Sequence, residues 1–319
     1  MRLRGCLMCA AERGDEATRT ERGAFALVAA TAALLVVGAS VRVNGAGLAC
    51  PDWPLCFGEV VPPLDVKVGF EWGHRVLAGG ISLGFLGLGA ALWRTAAPRS
   101  IRALWGLAAV VLGVQVVLGG LTVWHLLAEW TVASHLLTGN TFCALLLLLA
   151  LSLRAHHTRA VPSAVPSWLR VPGVALLVLA PLQLFLGGWV AGANAGLVCG
   201  AVPGCYTPDG AWFPTFSGVV GLQVTHRLVG LLLWATAVGF AVVARGSVRS
   251  PATAVAVAAT AQVGLGVLNV LWRLPVEITL LHTAGAAAVY LSTAWAQWTL
   301  WRSPVLGAVV RPSGVVSTA

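Results

Sequence analysis

Residues Gly47–Glu59 read GLACPDWPLCFGE, and Glu71–Arg75 read EWGHR. Two cysteines six residues apart, a tryptophan between two prolines and two acids thus precede a histidine in an otherwise apolar segment. The pattern returns as GLVCGAVPGC at Gly196–Cys205, followed by QVTHR at Gln223–Arg227. Val41–Cys50 (VRVNGAGLAC) aligns with Val190–Cys199 (VAGANAGLVC) at an offset of 149, and Cys56 with Cys205 at the same offset. His74-Arg75 aligns with His226-Arg227 at 152, while Gln115 aligns with Gln262 and His135 with His282 at 147. Small changes of offset are differences in loop length. The chain therefore reads as two copies of one unit, and such internal similarity sets the fold before any residue-level argument.

What the unit is follows from composition. The 319 residues are 58% hydrophobic and 10% charged, whereas soluble domains carry about 25% charged residues. Apolar runs long enough to cross a bilayer, about 20 residues each, fall near 24–43, 70–93, 103–123, 130–153, 171–191, 217–243, 252–271 and 277–300. The predicted fold is an all-α membrane protein of eight transmembrane helices, arranged as two tandem pseudo-symmetric four-helix bundles. The expected divisions are a tail at 1–23, a first bundle at 24–153, a linker at 154–170, a second bundle at 171–300 and a tail at 301–319. The first apolar run has no small-residue cleavage site and reads as a retained span.

Charge gives the orientation. Fifteen of the 20 basic residues lie before the first span, between spans 2 and 3, 4 and 5 or 6 and 7, or after span 8. The positive-inside rule then places both termini in the cytoplasm of a bacterial-type cell membrane. The net charge of +9 is a topology signal; no basic patch interleaved with aromatics points to nucleic acid.

Four of the seven histidines, His74, His135, His226 and His282, fall near the starts of even-numbered spans, toward the outer half of the membrane. Ionisable groups there are costly and usually functional. Paired by the duplication, two imidazoles per bundle can hold a planar metal-porphyrin between them, as axial histidines do; zinc usually wants three or four protein ligands. His125, His156 and His157 read as solvated or interfacial. Arg75 and Arg227 follow two of the ligand candidates and suit a porphyrin propionate or the outer headgroups. Three residues before His74 stands Glu71, and three before His226 stands Gln223. This spacing shares a helix face, so one copy sets a carboxylate beside its presumed porphyrin and the other an amide. Glu71 reads as a base or cation stabiliser, or alternatively as a favourable acid at a helix N-terminus. The asymmetry suggests one reactive site and one electron-transfer or structural site.

Cys50 with Cys56 and Cys199 with Cys205 suit small-loop disulfides on the oxidising side, with metal binding and thiol–disulfide exchange as alternatives. Cys143 reads as a buried small apolar residue, and the isolated Cys6/Cys9 pair carries no assigned role.

The NGAGLACPDWPLCFGE loop, EWGHR, SHLLTGN around His135, QVTHR and LHTAG around His282 together resemble the heme A synthase family, over all eight spans. The resemblance implies a duplicated four-helix-bundle fold and oxidation of the C8 methyl group of haem O to a formyl group, giving haem A for cytochrome oxidase assembly. It implies substrate haem on His74 and His135, haem b on His226 and His282, a catalytic Glu71 and paired loop cysteines. It also implies haem O handed over by a haem O synthase and an electron acceptor that the sequence does not name. Two other readings stand beside it, a b-type cytochrome exchanging electrons with quinone and a haem carrier. Small-residue pairs such as Gly80–Gly84 also suit helix packing between copies in a homo-oligomer.

Overall fold

The computed structural model describes residues 2–159, 161–205 and 216–306, with side chains from Ala17 onward. Cys6, Cys9, the arginines at 2, 4 and 13, and Arg311 lie outside the described side chains. The described residues form eight α-helices: α1 (Arg2–Val43), α2 (Val66–Arg94), α3 (Arg99–Trp124), α4 (Glu129–Thr158), α5 (Arg170–Gly192), α6 (Gly218–Val243), α7 (Arg249–Leu271) and α8 (Val276–Arg302). Local chemistry sets their ends. Asp65 caps α2 by accepting from the Val68 N–H at 2.8 Å. Pro98 and Pro275 stand at the N-caps of α3 and α8, where a missing N–H costs nothing.

Seven of the helices, α1 from Ala17 through α7, are long and apolar enough to cross a bilayer. All eight expected helices are present, and α8 is the one that is less apolar than this. α8 has 27 residues, about 40 Å at 1.5 Å per residue, but it is diluted by polar side chains that other helices satisfy. Thr279 donates to Asn269 Oδ1 (3.0 Å) on α7, Gln297 to the Gly173 carbonyl (2.6 Å) on α5, and Trp298 to Ser152 Oγ (3.2 Å) on α4. A helix whose polar groups are paired inside protein does not need the apolarity of one facing lipid. α4 also exceeds its expected end at 153 by running to Thr158. There Glu21 of α1 accepts from Arg154 Nε at 2.9 Å and pairs with His157 Nδ1 at 3.0 Å, so the expected linker begins as helix.

α1 packs on α2 and α4, and α3 on α4; in the same way α5 packs on α6 and α8, and α7 on both α6 and α8. The copies meet through α4 on α5, α1 on α8 and α4 on α8. At the α4–α5 seam Gly188 and Gly192 let backbones touch: a methyl on Gly188 would lie 2.8 Å from Ala133 Cα, and one on Gly192 2.9 Å from Glu129 Cα. Hydrocarbon offers no hydrophobic drive between helices, so close packing of small residues must supply the attraction. Lipid-facing positions are correspondingly apolar, as at the exposed Leu83, Val110, Val178 and Val257.

The duplication is visible in backbone detail. The α3–α4 turn holds Leu126 and Leu127 at φ 51° and 61°, and the α7–α8 turn holds Arg273 and Leu274 both at 59°. The N–H of Leu127 donates to the Thr122 carbonyl (2.8 Å), and that of Leu274 to the Asn269 carbonyl (2.7 Å). Left-handed backbone costs a non-glycine residue about 1–2 kcal/mol, and both copies accept it at two successive positions. The turn leucines then abut the cysteine loops: a methyl on Gly47 would meet Leu127 Cδ1 at 3.2 Å, and one on Gly196 would meet Leu274 Cδ1 at 3.0 Å.

Each loop is closed by a disulfide, Cys50–Cys56 with Cα atoms 4.8 Å apart and Cys199–Cys205 at 4.6 Å. In the first, Asp52 accepts from the N–H groups of Phe57 (2.6 Å) and Gly58 (2.7 Å). Trp72 of α2 donates to the Val60 carbonyl at 2.8 Å, and Trp53 meets Trp124 edge-on with centroids 5.8 Å apart.

Replacing Gly188 by leucine is expected to push α4 and α5 apart and cost about 1–3 kcal/mol, the usual range for overpacking. Thermal unfolding in detergent checks this, with Gly23→Leu as a control where nothing lies within 4 Å. The loop has its own pH response. The Gly58 amide first, and then that of Phe57, holds the Asp52 carboxyl below the ordinary carboxylate range. A depressed pKa contributes stability above the unfolded value and loses it as pH falls through the folded one. Protection of the Phe57 and Gly58 amides, measured as exchange relative to the intrinsic rate at the same pH, should therefore fall below the ordinary carboxylate pKa, and in Asp52→Ala it should be low at every pH.

Candidate functional site

A cavity of about 1520 Å³ is lined by side chains from all eight helices, including His74, His135, His226, His282, Glu71, Gln223, Arg75 and Arg227. Every residue nominated from the sequence for ligation or catalysis thus borders one space, rather than two separate ones. Its volume exceeds the roughly 300–1,000 Å³ of a pocket for one drug-sized ligand. Its lining takes His74 and His135 from α2 and α4 of the first copy, and His226 and His282 from α6 and α8 of the second.

Each imidazole stands on a glycine of the preceding helix. A methyl on Gly38 of α1 would lie 3.0 Å from His74 Cε1, and one on Gly187 of α5 would lie 3.1 Å from His226 Cε1. Gly119 of α3 and Gly266 of α7 relate likewise to His135 (3.4 Å) and His282 (3.3 Å). Glutamines accompany three of the four. Gln115 Nε2 lies 3.2 Å from His135 Nε2, and Gln262 donates to the His282 carbonyl at 2.9 Å. Gln183 Nε2 lies 3.2 Å from His226 Nδ1 and 3.5 Å from its Nε2. His74 has no such neighbour; Leu34 occupies the position equivalent to Gln183.

The Nδ1 atoms of His74, His135 and His282 are buried without a protein partner. Buried polar atoms are normally satisfied, so unpaired ones call for an explanation. Imidazoles from two helices of each copy, three of them with Nδ1 uncommitted to protein and all four on a large cavity, fit axial ligation of a haem. Among the described residues no three His, Cys, Asp or Glu side chains converge as a metal cluster would need.

Glu71 and Gln223 are both 5% exposed, but they are wired with opposite polarity. Glu71 Oε2 accepts from the Cys50 N–H at 2.9 Å, and Oε1 accepts from Arg75 Nη2 at 2.5 Å. Gln223 instead donates through Nε2 to the Gly196 carbonyl at 3.3 Å, leaving its Oε1 unpaired. The arginines follow suit. Arg75 divides its donors between Glu71 and the carbonyls of Asp52 (2.7 Å) and Leu55 (2.5 Å). Arg227 gives its donors to loop carbonyls, Ala201 (2.7 Å), Gly204 (2.8 Å) and Cys199 (2.7 Å) among them. Both arginines therefore staple their disulfide loops over the cavity, a role that their position in the sequence did not suggest.

Arg42 also lines the cavity, with Ala191 at the equivalent position of the second copy; the alignment that exposed the repeat contains this difference. The glycine seats and Gln183 likewise escaped notice, because single glycines and glutamines in apolar helices carry no pattern of their own.

The model of the COX15-CtaA family, described as a cytochrome oxidase assembly protein, matches residues 22–69 and 64–294. A protein of Shewanella oneidensis named heme A synthase is 29% identical over 312 residues, covering 85% of this chain and 93% of its own length. Proteins of the same name from Methylobacterium sp. (strain 4-46) and Rhodopseudomonas palustris (strain BisA53) are 30% and 28% identical, covering 84% and 92% of this chain and 88% and 94% of their own lengths. With the match running through all the cavity-lining helices, this chain belongs to the COX15-CtaA family of cytochrome oxidase assembly proteins.

Proposed function

We propose that this chain is a heme A synthase, a multi-pass membrane enzyme that oxidises the C8 methyl group of haem O to the formyl group of haem A. The observation that carries the reading is the pairing of four half-buried imidazoles on one large cavity, with a carboxylate beside His74 and an amide at the matching place beside His226. In this reading haem O binds as substrate to His74 and His135 in the first bundle, 24–153. Haem b is held by His226 and His282 in the second, 171–300, where when bound it supplies one-electron redox exchange. Both termini face the cytoplasm, and the disulfide loops face the oxidising side. The relatives' name and the family favour this over a b-type cytochrome without haem modification.

Taking a methyl group to an aldehyde requires two two-electron oxidations, through an alcohol to a hydrated aldehyde that loses water. Protons must leave in each oxidation, and Glu71 is placed to take one. Its carboxylate is fixed at the cavity wall by Arg75 and the Cys50 amide, so it does not have to reorganise when charge develops nearby. Arg75 and Arg227 line the cavity while holding their loops. With Arg42, they are the proposed partners of the haem propionates through charge-assisted hydrogen bonds.

The test is co-expression with a source of haem O, followed by chromatography of the haems extracted from purified protein. Haem B together with haem O or haem A is expected; haem B alone would overturn the synthase in favour of the cytochrome. His226→Ala and His282→Ala should each abolish the low-spin b-type spectrum, whereas His74→Ala should leave it. In Glu71→Gln the amide still accepts from Cys50 through Oε1, but it turns an NH₂ group toward Arg75. Haem should be retained and the ratio of haem A to haem O should fall at least about a hundredfold, as for loss of an acid–base group. A near-normal ratio would remove Glu71 from the chemistry.

A further inference from the structure

We infer that Gln183 is a positioning residue for His226: it takes one ring nitrogen of the imidazole and so leaves the other for iron, a device that His74, the matching imidazole of the first copy, lacks. The inference rests on the reading that His226 ligates haem b.

The geometry begins with Gln183 Nε2, which lies 3.2 Å from His226 Nδ1 and 3.5 Å from Nε2. The Oε1 of the same amide is buried without a partner. Amide oxygen and nitrogen are interchangeable by a 180° flip, and the hydrogen-bond network decides between them. An imidazole that gives one nitrogen to iron carries a proton on the other. Turned over, the amide presents Oε1 to that proton, and the orphaned acceptor and the ring N–H satisfy each other. Such a contact fixes the tautomer and ring orientation and raises the basicity of the ligand.

The seat for this amide is built. A methyl on Gly230, one turn beyond His226, would lie 2.9 Å from Gln183 Nε2. Glycine there leaves the space that the amide fills. A second glycine, Gly187, backs the other side of the arrangement, with a methyl there 3.1 Å from His226 Cε1. In the first copy the imidazole and its backing glycine remain, as His74 and Gly38. The amide and its seat are both replaced, Gln183 by Leu34 and Gly230 by Ala78. His74 keeps a buried, unpartnered Nδ1. The two differences belong together: a methyl at the seat would crowd the amide, and leucine has no use for the space.

The functional contrast follows. A fixed, more basic imidazole favours a haem that stays, and it favours ferric over ferrous iron. An imidazole with no partner on its second nitrogen is held less firmly and suits a haem that must arrive as substrate and leave as product. Gln183 thus holds His226 more firmly than its counterpart His74 is held, while Gln115 gives His135 an amide contact of its own.

The experiment uses full-length protein purified with its haem, comparing wild type with Gln183→Leu, which copies the first repeat, and Gln183→Glu, which keeps an acceptor. The measurements are the midpoint potential of the low-spin haem b and its rate of transfer to excess apomyoglobin. Gln183→Leu should raise the potential and loosen the haem about 10–100-fold, the usual cost of losing such a partner. Gln183→Glu should keep the haem and lower the potential, because a carboxylate is the stronger acceptor. Opposite shifts from two similarly sized side chains are not produced by packing. Unchanged potential and retention in both variants, or shifts of the same sign, would overturn the inference. A wild type whose low-spin haem survives His226→Ala would instead overturn the ligand assignment on which it rests. If Gln183→Leu does not fold, the sign of the Gln183→Glu shift decides alone, a rise or no change counting against the inference.

Discussion

The structure depends on one constraint, the placing of four imidazoles at membrane depth among helices that have little else to offer them. A neutral imidazole carries a donor and an acceptor, and an unsatisfied polar group costs several kcal/mol where no water reaches. The molecule meets this by geometry. Glycine on the preceding helix lets each ring lie against backbone, glutamines approach the rings of His135 and His226, and the Nδ1 atoms of His74, His135 and His282 are left without a protein partner. The histidine-bearing helices α2, α4, α6 and α8 and their partners must therefore pack around the cavity, not through it. That arrangement leaves leucine and valine for the lipid face and small residues for the α4–α5 seam.

The loops answer a second need created by the first. A cavity of this size opens toward one end of the helices unless something covers it, and a covering loop carries backbone carbonyls that need donors. Arg75 and Arg227 supply them from the helices that also bear His74 and His226. Each arginine follows its histidine directly, so loop position and imidazole position are fixed by one turn of helix. The disulfides shorten the loops enough for one guanidinium to reach two or three carbonyls. Redox state at Cys50–Cys56 or Cys199–Cys205 is thereby linked mechanically to the helix that carries a proposed ligand.

Much of this was legible in the sequence, for identifiable reasons. The duplication survives because both copies must present histidine, arginine and paired cysteines at the same depth, and those residues are rare enough in an apolar chain to align by eye. The spans were legible because hydrocarbon enforces apolarity. Where hydrocarbon is not the neighbour, the apolar signal weakens: α8 carries polar side chains that pair with other helices, and α4 continues past its apolar run because Glu21 receives Arg154 and His157 there. The roles of Arg75 and Arg227 were legible only as charge. Their use as staples depends on loop carbonyls, which every residue has and no motif marks. Gln183 could have been found by aligning it with Leu34, a comparison that the repeat permits once its offset of 149 is known.

The divergence between the copies has a common physical form, in which one side chain replaces another at a matching position of the repeat and its surroundings adjust. At 71 and 223 a carboxylate gives way to an amide. A carboxylate only accepts, so it draws the Cys50 N–H and Arg75; the amide at 223 donates, so it seeks the Gly196 carbonyl and leaves Arg227 free to bond the loop carbonyls. At 34 and 183 a leucine gives way to an amide, and Ala78 gives way to Gly230 to make room. At these positions the first copy holds a carboxylate near His74 and no amide on that ring, whereas the second holds an amide on the His226 ring and no carboxylate near it. A charged group near the ring suits a site where protons move. A neutral, firmly hydrogen-bonded ring suits a site where only electrons do, since reorganisation there is small. One ancestral four-helix unit could be driven toward either behaviour by exchanges of this size, without altering a helix boundary or a ligand.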